Sequence, residues 1–294
     1  MNYELLISSE QLQALIANQT PLRIFDCSFE LSNPSLGRTQ YGESRIPGAV
    51  YADLDEALSD KKGTGVSGGR HPLPSRETFA QWLSSVGLTN DMQAVVYDRN
   101  SANYCGRLWW MLKWAGHAKV AVLDGGLQAW QAAGGAIQNA SNGEEGIASS
   151  SSSTSTSKYV LGESISALIA TETVAKNLGR PIQTLLDARG APRFRGEVEP
   201  LDPVAGHIPG ALNRPFMQNI GADGKFKPAA VLKAEFEALL AGRDPATVVH
   251  QCGSGVSAVP NLLAMQIAGL GITSLYAGSW SDWCSDPSRP MAQG

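Results

Sequence analysis

Cys252 opens the run Cys252-Gly-Ser-Gly-Val-Ser-Ala258, which follows the apolar Val248-Val249 and leads into Val259-Pro-Asn-Leu-Leu-Ala-Met-Gln-Ile-Ala268. A cysteine in a Gly/Ser loop at the mouth of a helix sits among backbone N–H donors and the positive end of the helix dipole. Both favour thiolate over thiol. Gly253 and Gly255 let the backbone curl so that successive N–H groups turn inward, making an anion cradle of Cys252, Gly253, Ser254, Gly255, Val256 and Ser257. Pro260 suits the first turn of the helix, where its missing N–H costs nothing. The competing reading is a core cysteine at a strand end, common for free cysteines. The glycines and the strand–loop–helix setting weigh toward chemistry. A cysteine phosphatase would need an arginine six residues after its nucleophile to clamp phosphate. That position is Ala258, and from Cys252 to the end the one basic residue is Arg289. The phosphatase reading fails there.

The elements that must position this loop read as short apolar runs alternating with helical patterns. Arg23–Cys27, Ala94–Asp98, Val120–Leu123, Gln183–Asp187, Thr247–Gln251 and Thr273–Tyr276 predict strands; Ser9–Asn18, Glu77–Val86, Gly126–Ala133, Ala229–Ala241 and Val256–Ala268 predict helices. Strands separated by helices imply an α/β fold with parallel sheets covered on both faces. In such folds ligands bind beyond the carboxyl end of a central strand, and Cys252 lies there.

The pattern occurs twice. Ile24-Phe25-Asp26 is echoed by Leu185-Leu186-Asp187, Ile46-Pro47-Gly48-Ala49 by Ile208-Pro209-Gly210-Ala211, Val95-Val96 by Val248-Val249, and Gly125 with Trp130 by Gly278 with Trp283. Landmarks that keep their order in this way indicate a duplicated unit. The expected division is a first domain over 1–137, a Ser-rich linker over 138–157 too poor in apolar residues to order itself, and a second domain over 158–294. Arg99 stands in the first half where Cys252 stands in the second, so the first half has the scaffold without the nucleophile.

Composition narrows the partners. The 294 residues are 43% apolar and 17% charged, with a net charge of −4, which gives no electrostatic case for nucleic acid or anionic membrane. Neither a secretory signal nor an apolar run of membrane-spanning length is expected. Cys27, Cys105, Cys252 and Cys284 are far apart with no CxxC pair, which suits reduced thiols in a cytoplasm. His71, His117, His207 and His250 are isolated from the cysteines and from each other, so no metal site is expected. Cys27, Cys105 and Cys284 read as packing residues.

The duplication, the two IPGA segments and the Cys-Gly-Ser-Gly-Val-Ser-Ala loop resemble the rhodanese superfamily, and within it the two-domain thiosulfate/3-mercaptopyruvate sulfurtransferases. Asp187-Ala-Arg189, Arg193-Phe-Arg195-Gly196, Gly206-His-Ile-Pro-Gly-Ala211 and Gly278-Ser-Trp-Ser-Asp-Trp283 add to the match. The resemblance implies two tandem rhodanese-like domains, the first a non-catalytic partner that closes the cleft. It implies a Cys252 persulfide formed from 3-mercaptopyruvate and passed to cyanide or a thiol such as thioredoxin, without a cofactor. Ser254 would polarise the donor, and Asp55 and His71 match an aspartate–histidine pair. Arg193 and Arg189 are the substrate-binding candidates. Arg193 matches the substrate arginine, whereas Arg189 is expected to pair with an acidic neighbour. Arg195 is left between solubility and substrate steering.

Two departures stand out. The arginine that usually follows Glu-Pro is Leu201 here, with Arg214 a substitute, and Ala277 replaces an aspartate. The lost cation keeps thiosulfate open as the donor, and also a persulfide carrier of low turnover. The neutral loop after Cys252 favours mercaptopyruvate, since the thiosulfate branch carries basic residues there.

Overall fold

The computed structural model describes residues 2–140 and 158–294. In the first half the order is β1 (Leu6–Ile7), α1 (Ser9–Ala17), β2 (Leu22–Asp26), α2 (Ser35–Glu43), β3 (Val50–Tyr51), α3 (Arg76–Ser85), β4 (Gln93–Tyr97), α4 (Cys105–Trp114), β5 (Val120–Leu123) and α5 (Gly126–Ala132). The second half repeats it as β6 (Ala167–Leu168), α6 (Thr171–Lys176), β7 (Thr184–Asp187), α7 (Ala191–Phe194), β8 (Leu212–Asn213), α8 (Ala229–Leu240), β9 (Val248–Gln251), α9 (Val259–Ile267), β10 (Ser274–Leu275) and α10 (Ser279–Trp283). Short 3-10 turns at Phe216–Asn219 and Pro245–Thr247 complete it.

All strand pairs are parallel, in the orders β1-β5-β4-β2-β3 and β6-β10-β9-β7-β8. The two orders are the same permutation, as a duplicated unit requires. Parallel neighbours need crossovers, and the helices supply them. β4 and β9 are buried at every residue because helices cover both faces, which explains the apolar Ala94-Val95-Val96 and Val248-Val249 within them and leaves Gln93, His250 and Gln251 as buried polar groups.

Local signals set several boundaries. Ser8 and Gln11 close a capping box at the start of α1, and the Ser75 hydroxyl accepts the Thr78 N–H at the start of α3. Helix α4 escapes sequence periodicity for a physical reason: all ten of its residues are buried, so it has no polar face.

The described residues divide into two compact units, and each takes a segment from the other half of the sequence. Residues up to Leu58 and Ser75–Ile165 form the first; Ser59–Pro74 and Ser166–Gly294 form the second. Each has its own core, one around Leu12, Ile24, Val95 and Trp130, the other around Val174, Leu185, Val249, Trp280 and Trp283. Of the Ser-rich stretch, residues 141–157 lie outside the described residues. Gln138 bridges Arg45, and the Ala140 N–H donates to the Gly42 carbonyl at 2.8 Å.

Candidate active site

Cys252, 2% exposed, is the first residue beyond β9. Its N–H donates to the Ser279 hydroxyl (3.1 Å) and its carbonyl accepts from the Trp280 N–H (3.0 Å). The Gly253 carbonyl accepts from the Ser281 N–H (2.9 Å). The corner between β10 and α10 thus fixes the backbone at the nucleophile. Gly255 has φ +73°, and a Cβ there would fall 2.3 Å from the Ala277 carbonyl oxygen, so the loop can lie this close only with glycine. Helix α9 begins at Val259, three residues later than the sequence pattern indicated, because Val256–Ala258 stay in the turn. Within that turn the N–H groups of Ser254, Val256, Ser257 and Ala258 have no acceptor among the described residues. One loop therefore holds four donors available to an anion.

The segment Ser59–Pro74 brings two further groups. It folds on itself through Asp60 N–H to Pro72 O and Val66 N–H to Leu73 O, both 2.8 Å. At Gly69 (φ +84°) it passes so near α10 that a Cβ would meet the Gly278 carbonyl oxygen at 2.5 Å. Beyond it the Arg70 N–H donates to the Ser281 hydroxyl (3.0 Å), and His71 Nδ1 stands 2.7 Å from Ser254 Oγ with both side chains buried. The His71–Ser254 pair therefore forms within the second unit. Asp55 belongs to the first unit, where its N–H donates to the Asp53 carboxylate at 2.8 Å.

The arginines separate by what their guanidinium groups hold. Arg189 is 4% exposed and bonds to Asp187 (2.7 Å), the Gly206 carbonyl (2.7 Å) and Glu199 (3.4 Å), with Trp280 against its face. Burial works against its charge, but Asp187, Glu199 and the Cys252 sulfur outweigh burial and leave its pKa raised. Counted from the sequence among substrate-binding candidates, it acts here as a brace that ties Asp187, Glu199 and the Gly206 carbonyl together. Arg193 gives Nε and Nη2 to Glu199 (3.2 and 2.6 Å) and Nη2 also to Asp202 (3.3 Å), which leaves Nη1 without a partner among the described residues. The short helix α7 that carries Arg193 is pinned by His207, which stacks on Phe194 and places Nδ1 2.8 Å from its carbonyl. Arg195 is exposed and pairs with exposed Glu197. Arg214 gives Nε to Asn219 (2.9 Å) and Nη2 to Glu235 (2.7 Å) and lies over the Phe236 ring, contacts that tie it to α8 and the turn before it.

Sequence reasoning missed Arg70. A Cβ on Gly253 would lie 3.0 Å from Arg70 Nη2 and 3.6 Å from Arg193 Nη1. No local motif announces this, because Arg70 is remote in sequence and arrives on a segment numbered with the first half. Ser279 was also missed as a functional residue, although its motif was noted.

The remaining cysteines are poor nucleophiles. Burial, then Asp26 and Asp98, raise the Cys27 thiol; burial and Asp98 raise Cys105; burial and Asp202 raise Cys284. In the first unit the loop after β4 is filled from within. The Asp98 carboxylate accepts the N–H groups of Asn100, Tyr104 and Cys105 at 2.9 Å and of Ala102 at 3.1 Å. Arg99, in the place of the cysteine, pairs with Asp26 at 3.1 Å and with Ser28.

A duplicated parallel unit of this strand order defines the rhodanese-like class, and the profile of the Rhodanese-like domain matches the chain twice, over residues 8–133 and 170–286. The chain belongs to that family. A protein of Pseudomonas aeruginosa named as a probable 3-mercaptopyruvate sulfurtransferase is 46% identical to it over 290 residues, covering 98% of each chain. The thiosulfate sulfurtransferase of Bos taurus is 32% identical over 280 residues, covering 93% of this chain and 89% of its own. The crystal structure of SseA, a 3-mercaptopyruvate sulfurtransferase of Escherichia coli, superposes with a TM-score of 0.74 at 29% identity, covering 94% of this chain and 98% of that one. No helix among the described residues is long and apolar enough to cross a membrane.

Proposed function

We propose that this sulfurtransferase takes sulfur from 3-mercaptopyruvate onto Cys252 and passes it to cyanide or a thiol. The observation that carries this reading is the Cys252 loop itself: a nucleophile at the carboxyl end of the central strand, a turn with four unpaired N–H donors, and a free arginine nitrogen beside it.

In the first step the Cys252 thiolate attacks the donor's sulfur. An S–S bond forms, the C–S bond breaks, and its electron pair leaves on carbon as the enolate of pyruvate, which takes a proton from water. Cys252 is left as the persulfide. In the second step cyanide or a thiolate attacks the outer sulfur, the S–S bond breaks, and the electron pair returns to Cys252 as thiolate. Arg193 Nη1 holds the donor's carboxylate. Ser254, tied to His71, addresses the keto oxygen where negative charge grows. The loop N–H groups then stabilise the persulfide. No step calls on a cofactor. The four free cysteines support a reducing, cytoplasmic setting, in which a dithiol protein of the thioredoxin type is the acceptor in keeping with the chemistry.

Thiosulfate is the second reading. Arg70 supports it, because this arginine supplies from outside the loop the cation that thiosulfate-type enzymes carry after the cysteine. The deciding experiment compares kcat/KM for the two donors with cyanide as acceptor, in the native protein and in Cys252→Ser. Mercaptopyruvate should be preferred, a single added sulfur should appear on Cys252 by mass spectrometry, and Cys252→Ser should lose transfer while keeping its circular dichroism. Transfer by the serine variant would end the assignment, and a thiosulfate preference would reverse the donor.

A further inference from the structure

The residue that closes the central strand differs between the two units. In the first, Tyr97 closes β4 in register with Asp26 of β2. Its hydroxyl accepts the Ile46 N–H at 3.1 Å and bonds to the Asp26 carboxylate, so one phenol satisfies both buried groups. In the second, Gln251 closes β9 in register with Asp187 of β7, and Ile208 takes the place of Ile46. Residues paired across neighbouring strands put their side chains on one face of the sheet, so the Gln251 amide and the Asp187 carboxylate share a face. A glutamine is shorter than a tyrosine, and the connection is not made. Gln251 is fully buried, and neither Oε1 nor Nε2 has a hydrogen-bond partner among the described residues. The N–H of Ile208, also fully buried, has no acceptor among them. Leaving such groups dry and unpaired is costly, and folded chains almost always satisfy them. Three orphaned polar atoms thus collect where the first unit places one hydroxyl.

We propose that the Gln251 amide, the Ile208 N–H and the Asp187 carboxylate form a buried water site behind the nucleophile, and that Gln251 is a positioning residue which, through this water, steadies the Asp187–Arg189 pair. The water accepts the Ile208 N–H and donates to Asp187 and to Gln251 Oε1, the three bonds usual for a buried water. It does as a bound molecule what the Tyr97 hydroxyl does as part of a side chain. The effect reaches Cys252 because Arg189, held by Asp187 at 2.7 Å, is a cation whose field meets the Cys252 sulfur. Without the water, Asp187 loses its bond on the side away from Arg189, and the guanidinium charge is placed less firmly. The water site stands by itself; the positioning role rests on Cys252 as the nucleophile.

Gln251→Met tests the site, because it keeps the length of the side chain and removes its hydrogen bonds. If the amide holds water, the variant loses it, and the Ile208 amide should exchange with solvent about tenfold faster, roughly the worth of one buried hydrogen bond. Alkylation of Cys252 by iodoacetamide, a neutral reagent, should slow severalfold in the same variant. Gln251→Tyr installs the first unit's phenol and should return both rates toward native. An amide that is orphaned in fact behaves in the opposite way: methionine relieves it, the chain becomes more stable, and the Ile208 amide exchanges no faster, which overturns the site. Should the variants fail to fold, a crystal structure of the native protein decides, since it must show an ordered water within about 3.2 Å of the Ile208 nitrogen, and clear density without one overturns the site. Faster exchange with an unchanged alkylation rate upholds the water and overturns the positioning role. Iodoacetamide needs neither donor nor acceptor, so these outcomes are independent of which donor the protein uses. Sulfur transfer by Cys252→Ser would remove the role and leave the water site to the exchange measurement.

Discussion

Ser279 shows how much local structure the nucleophile requires. It is buried, holds φ +56°, and its hydroxyl both accepts the Cys252 N–H (3.1 Å) and donates to the Tyr276 carbonyl (2.9 Å). A non-glycine residue in the left-handed region costs about 1–3 kcal/mol, which these two bonds must offset. Two substitutions separate strain from bonding. Ser279→Gly removes both bonds and also the strain, whereas Ser279→Ala removes the bonds and keeps the strain. Since a buried group left unpaired costs about 1–3 kcal/mol, both variants should be less stable than the native chain, and alanine should be worse than glycine by about 1 kcal/mol. Denaturant midpoints measure this. An alanine variant as stable as the glycine variant would mean that the observed φ is not strained. Cys252 and its glycines were legible in the sequence because their chemistry is carried by neighbours in the chain. Ser279 and Arg70 were not, because their roles depend on close approaches that only folding creates.

At the scale of elements the two halves make a controlled comparison. The strands β2 and β7 both end in a buried aspartate, Asp26 and Asp187. In the first half Asp26 is neutralised by Arg99, which occupies the nucleophile's place; in the second Asp187 is neutralised by Arg189, which leaves that place to Cys252. The loops differ in the same sense. Asp98 spends its carboxylate on the N–H groups that open α4, while in the second half the corresponding turn keeps donors unpaired. Asp98 is thus an internal anion in a scaffold suited to binding one. Asp98→Ala should cost roughly 3–5 kcal/mol, since several buried N–H groups lose a charged acceptor, and Asp98→Asn should recover about half through its remaining oxygen. Faster hydrogen exchange at the 100–105 amides would localise the effect, and full stability of the alanine variant would show that the carboxylate is dispensable. The element order was readable in the sequence from apolar runs and duplicated landmarks. What escaped it were two-residue strands such as β1, β3, β6 and β8, too short for any periodicity, the helices α2, α6, α7 and α10, of which the last three are six residues or fewer, and α4, whose uniform burial erases its pattern.

Each unit of the whole molecule buries a histidine that must stay neutral. His250, inside β9, is fully buried, and burial pulls its pKa down to about 3; the first unit's His117 is pulled down to about 4, again chiefly by burial. His250 Nε2 lies 2.9 Å from the Thr273 hydroxyl, a pairing that a neutral ring satisfies. In the unfolded chain the same side chains take up a proton near pH 6.5. Between pH 6.5 and the folded values the unfolded state binds more protons, so stability is complete above about pH 6.5 and falls as acid is added. From pH 7 to pH 5 each histidine accounts for about 2 kcal/mol of that loss, at 1.36 kcal/mol per pH unit. The two contributions are separable because each sits in its own core. His250→Gln should flatten the acid dependence of amide exchange in β9 while leaving that of β4 unchanged, and His117→Gln should do the reverse. If both variants lose stability in parallel with the native chain from pH 7 to pH 5, the histidines are not the acid-sensitive groups.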